Sequence, residues 1–107
     1  MAVIKVSTED SWIVGRWAFR TILRPTIEAL TEDMDKEVIN RALALDGLHL
    51  PLIDQVQARR IALTMEKVTR GLRKSLIEAD PTTLQPIDLE FIEYLSAIES
   101  SLRRHYA

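Results

Sequence analysis

Apolar residues recur at helical spacing over most of the chain. In 32–45, Met34, Val38, Ala42 and Leu45 return every three or four positions. Thr31-Glu32-Asp33 supplies a cap and first-turn acids, and Asp46-Gly47 a left-handed stop, so a helix is predicted over 32–45. Ile87, Phe91, Leu95, Ile98 and Leu102 form a second stripe, opened by Pro86 and predicting a helix to about Arg104. Asp88 and Glu90 near its start, and Arg103, Arg104 and His105 near its end, suit the helix dipole. Upstream, Ser7-Thr8-Glu9-Asp10 has the hydroxyl-then-acid order of a helix start. A helix is predicted there from about Glu9 to Arg24, broken or kinked at Pro25, with residues 26–30 as a short continuation. Residues 2–6 (AVIKV) are strand-like but have no evident partner strand, which predicts an N-terminal arm over 1–8 whose natural pairing partner is a second copy.

The longest unbroken stretch runs from Pro51 to Asp80-Pro81, with Gly71 as its one weak point. Taken as one helix it has about 29 residues and a length of roughly 43 Å. Ala58, Ile61, Met65, Val68, Leu72 and Leu76 share one face, while Leu52, Val56 and Leu63 lie nearly opposite. The first two turns are therefore expected to bury a different face from the rest. A short loop folds the last two helices into a C-terminal antiparallel hairpin. The rod also exceeds the compact diameter expected for this chain length, so its overhang calls for a covering partner.

Three glycines and four prolines are few for an all-β domain. The predicted class is all-α: a small four-helix bundle, three long helices plus a kinked N-terminal one, in a single domain over 1–107. No cysteine is present, which excludes disulfides, thiolate metal sites and a cysteine nucleophile. The first twelve residues lack the basic and apolar regions of a signal peptide, and no apolar run is long enough to span a bilayer. The cytoplasm is the expected location.

The net charge of −2 conceals alternating blocks: +3 over 11–24, −4 over 28–37, +5 over 55–77 and −6 over 78–99. Neighbouring helices of opposite sign attract, though exposed pairs contribute only tenths of a kcal/mol each. Helical geometry gathers Arg59, Arg60, Lys67, Arg70 and Lys74 opposite the Ile61–Leu76 stripe, with Arg73 at its edge. Such a cationic face can follow a phosphate backbone or an acidic protein groove, or be neutralised by acids of neighbouring helices. A second candidate surface is Arg16, Arg20 and Arg24, spaced by four residues, with Trp12 and Trp17 nearby. Arginine beside tryptophan is the composition of interaction hot spots, although both tryptophans also suit a core.

Catalytic chemistry has little to stand on. Asp33-Met34-Asp35-Lys36-Glu37 resembles the start of a calcium loop but has Val38 where that loop needs glycine. His49 and His105 have no second ligand at metal spacing. The stretch 38–58 matches a helix-turn-helix poorly, because its turn and its second helix are both too long. No enzymatic activity, cofactor or metal is expected. The sequence points to a helical protein-interaction or regulatory module that self-associates as a homodimer, binds another protein, or both. Nucleic acid held on the basic face of 51–79 is the alternative, and no membrane partner is expected.

Overall fold

The N-terminal segment is a strand with a neighbour on each side. In the computed structural model, which describes residues 1–106, β1 (Ala2–Lys5) lies between β2 (Ser11–Val14) and β3 (Gly47–His49). Ala107, the last residue of the expected domain, lies outside the described residues. β1 runs antiparallel to β2, with Ile4 opposite Trp12, and parallel to β3, with Ile4 opposite Leu48. The segment 2–6 is strand-like as expected, but it pairs within the chain and forms no free arm awaiting a second copy: Ala2, Ile4 and Val6 are buried, while Val3 and Lys5 face partly outward. Its partners were hidden because β3 has three residues and β2 reads as the first turn of a helix.

The Ser7–Asp10 signal builds a turn instead of a helix. The Ser7 hydroxyl accepts hydrogen bonds from the Glu9 and Asp10 amides, and the Val6 and Ser7 amides donate to the Asp10 carbonyl. A hydroxyl followed by free amides serves a helix cap and a tight turn equally well, and here strand pairing on both sides decides for the turn. The helix expected from Glu9 therefore starts only at Arg16.

Four helices make up most of the remainder: α1 (Arg16–Ala29), α2 (Asp33–Leu45), α3 (Gln55–Glu78) and α4 (Pro86–Tyr106). The all-α expectation is thus approximate, since a small sheet accompanies the helices. α1 continues through Pro25, where a break was expected. Thr26 and Leu30, beyond the proline, are buried, and Thr26 Oγ1 donates to the Ile22 carbonyl at 2.8 Å. Burial of that last turn outweighs the single backbone bond that proline removes. After α2, Asp46 itself takes the left-handed conformation (φ 54°), a role expected of Gly47; its short polar side chain tolerates it.

α3 is shorter than expected and buries one face throughout. Asp54 caps it, its carboxylate accepting from the Val56 and Gln57 amides, while Pro51 sits in a preceding 3-10 turn. Ala58, Ile61, Ala62, Met65, Glu66 and Thr69 form its buried stripe. The predicted change of face does not occur, because Leu52 is 84% exposed and Val56 is exposed as well. With 24 residues α3 is roughly 36 Å long. It fits within the 43 Å long axis of the molecule, whose radius of gyration of 13.2 Å is ordinary for this chain length. No overhanging rod remains to be covered.

A single apolar cluster joins Ile4 and Leu48 of the sheet to Phe19 and Ile22 of α1, Met65 of α3, and Leu95 and Leu102 of α4. α2 contributes Ile39, Ala42 and, unusually, Asp35, while Met34 and Leu45 of its predicted stripe are exposed. In α4 the stripe holds from Phe91 to Leu102, but Ile87 is exposed. No helix is long and apolar enough to cross a membrane among the described residues.

Candidate functional site

The six cations of the predicted basic face divide into two groups. Arg60 is committed to the buried Asp35, with Nε and Nη2 donating to the two carboxylate oxygens at 2.8 and 3.0 Å. That hydrogen bond, ahead of all other causes, keeps the Asp35 carboxyl below its usual range. Arg70 and Arg73 turn toward α4, where Glu99 accepts from Arg70 at 3.2 Å and from Arg73 at 2.7 Å. Arg70 also pairs with Glu66, and Arg103 of α4 bridges Glu66 at 3.2 Å and Glu99 at 3.1 Å. Two buried carboxylates thus hold three half-exposed guanidiniums between α3 and α4. Arg59, Lys67 and Lys74 are exposed and form no ion pair among the described residues. The face that sequence presents as one surface is half structural and half free.

A second polar cluster ties the β1–β2 turn to the end of α4. Asp10 accepts from Ser101 Oγ at 2.6 Å, pairs with Arg104, and lies 3.1 Å from His105 Nε2. Tyr106 donates from its hydroxyl to the Val6 carbonyl at 2.9 Å. The Ser101 and Arg104 contacts hold the Asp10 carboxyl at about 2, against an ordinary 3.8. Because this folded-state value is depressed, the unfolded chain takes up the proton first as pH falls. The contribution of Asp10 is therefore complete above about pH 5 and is lost on acidification toward about pH 2. Asp10→Asn should flatten the fall in urea midpoint across that interval relative to the parent. Parallel curves for the two proteins would remove Asp10 from the account.

The Trp–Arg surface lies elsewhere, where β2 and α1 meet the first half of α4. Trp12 occupies a core-facing position of β2 and is partly buried. Trp17, in the first turn of α1, remains 52% exposed and packs against Phe91 of α4 with ring centroids 4.9 Å apart and planes tilted by 60°. Three shallow depressions follow one another here. The middle one, about 190 Å³, is lined by Gly15, Trp17, Ile87, Glu90, Phe91 and Tyr94. On one side Glu90 and Tyr94 also line a depression of about 310 Å³ with Trp12, Glu93 and Ala97. Trp17 is the wall shared with the depression on the other side, about 570 Å³, which holds Arg20, Arg24, Pro25 and Leu72. Arg20 and Arg24 have no acidic partner among the described residues, whereas Arg16 turns away to Asp46 at 3.0 Å. The result is an aromatic floor with carboxylates at one end and guanidiniums at the other.

Of the predicted residues, Trp17, Arg20 and Arg24 line one of these adjoining depressions, which together make up the Trp17 groove; Trp12 lines another and Arg16 none. The α4 half, Ile87, Glu90, Glu93 and Tyr94, was missed because Ile87 and Phe91 read as one core stripe. In the sequence Glu90 reads as an acid near a helix start and Glu93 only as part of an acidic block. Among the described residues no group of three His, Asp or Glu side chains is placed to hold a metal ion. His49 and His105 lie apart: His49 lines a hollow with Leu45 and Ile53, and His105 is the neighbour of Asp10. Compared with known proteins, the chain matches no family model, no characterised protein and no solved structure.

Proposed function

We propose that this chain is a protein-interaction module, acting as an adaptor, inhibitor or small assembly subunit without catalytic chemistry of its own, and that the Trp17 groove is where it docks. The observation that carries the reading is the half-exposed Trp17 on Phe91, between unpaired arginines and unpaired glutamates. A tryptophan in water beside arginine is costly to leave uncovered and is the side chain most often found at the centre of binding energy. Covering its exposed half, on the order of 100 Å², contributes about 2.5 kcal/mol to association. The buried carboxylates do not compete as a reactive site, since Glu66, Glu99 and Asp35 are each occupied by arginine.

The test is a comparison of retained proteins. Wild type and Trp17→Ala are immobilised and exposed to extract from the source cells, and the bound proteins are identified by mass. A partner held by wild type and lost, by about 50-fold, on Trp17→Ala is the expected result, matching the covered tryptophan area. Equal retention by both, with the variant folded by circular dichroism, overturns the reading. A second reading, nucleic-acid binding, is favoured by the free Arg59, Lys67 and Lys74 on the outer face of α3. Only three cations are left for it, so its salt dependence should be shallow, with a slope near −3 on logarithmic axes. Anisotropy of a labelled duplex at low salt decides it: no binding at tens of micromolar removes it.

A further inference from the structure

We infer that the occupant of the Trp17 groove is a second copy of this chain, docked about a two-fold axis that passes near Trp17. The inference rests on the docking reading above and adds the partner. A two-fold interface uses the same patch on both subunits, so the patch must complement itself. Few surfaces do, because a patch of one sign repels its own copy. Here the order along the groove is Glu93 and Glu90, then the Trp17–Phe91 aromatic floor, then Arg20 and Arg24. With acids on one side of Trp17 and arginines on the other, a two-fold axis at Trp17 is the arrangement in which the arginines of each copy would meet the glutamates of the other and the two apolar centres would stack. All four charged side chains are exposed, and none has an ion-pair partner within its own chain among the described residues. The net charge of −2 per chain adds little opposing repulsion.

The experiment exchanges the charges. Arg20→Glu with Arg24→Glu makes a groove acidic at both ends; Glu90→Arg with Glu93→Arg makes one basic at both ends. Masses are measured by sedimentation over micromolar to hundreds of micromolar chain, with circular dichroism confirming each fold. Wild type is expected to approach twice 12.2 kDa. Each double variant alone should associate about 100-fold more weakly, because like charges then face each other at both ends. Mixed in equal amounts, the two should form a one-to-one dimer within about tenfold of the wild-type affinity, since every contact again pairs opposite signs. The chain carrying all four changes should self-associate like wild type. Wild type that stays monomeric, double variants that dimerise normally, or a mixture that fails to associate each overturns the inference. If the mixture fails while Trp17→Ala still loses a retained protein, the groove reading stands and only the second copy is excluded.

Discussion

Replacing Ile4 by Ala should lower stability by about 3 kcal/mol, whereas the same change at Ile13 should cost less than about 1 kcal/mol. Both residues sit in short strands at one end of the chain, and either would be dispensable in a loose arm. Ile4, however, lies inside the central strand, is 0% exposed and packs in the common apolar cluster. Its truncation removes buried methyl and methylene groups and leaves a cavity beneath strands pinned on both sides. Ile13 alternates to the outer face of β2 and is 62% exposed, so little burial is lost. In thermal unfolding the Ile4 variant should melt roughly 10–20 °C below the parent, with Ile13→Ala within a few degrees. Equal effects at the two positions would mean that β1 is not integral to the core.

The contrast also marks where sequence reasoning stops. The bounds of α2 and α4 were legible to within about two residues from their boundary signals, and the α4 stripe held from Phe91 on, but α2 buries Asp35, Ile39 and Ala42 and leaves Met34 and Leu45 of its predicted stripe exposed. The end of α3 was legible for the same reason, at Asp80-Pro81. Its start was not: Pro51 is a good first-turn residue, but the cap the fold uses is Asp54, whose carboxylate accepts from the Val56 and Gln57 amides. The sheet escaped because its pairing is non-local. β1 meets β3 across forty-odd intervening residues, and its partners β2 and β3, with four and three residues, have too few positions to be told from a helix start or a turn. Tertiary burial likewise overrode the local penalty at Pro25. For the candidate site the pattern is similar. Spacing correctly put Arg20 and Arg24 on one face of α1, since that is a property of one helix. It could not show that Arg60, Arg70 and Arg73 would be consumed by Asp35, Glu66 and Glu99, because those acids come from other helices or from the inner side of α3. The alternating charge blocks did anticipate attraction between α3 and α4. The buried bridge nevertheless includes a reversed pair, Glu66 of α3 with Arg103 of α4, that block averages conceal.

That bridge leads to the second large effect. Glu99→Ala should cost about 2–3 kcal/mol at neutral pH, less than the full penalty for breaking a wholly buried pair. Glu99 is almost completely buried, and its two oxygens accept from Arg70, Arg73 and Arg103. Removing it leaves Arg73 without an acidic partner and Arg70 and Arg103 with Glu66 alone, but all three are partly exposed, so water recovers part of what they lose. Arg73→Met should cost less, because Glu99 would keep two of its three donors. Burial by itself would push the Glu99 carboxyl up, yet the bonds from Arg73 and Arg70, with the charge of Arg103, more than offset it and hold the group below the ordinary carboxylate range. A depressed folded-state value means that this stabilisation is whole above the unfolded-chain value and disappears as pH falls through the folded one. Urea unfolding of parent and Glu99→Ala should therefore show a wide gap at pH 7 that narrows steadily below about pH 4. A gap that stays constant into acid would show that the loss comes from packing alone, and that α3 and α4 are held together by their apolar seam without help from the arginine–glutamate bridge.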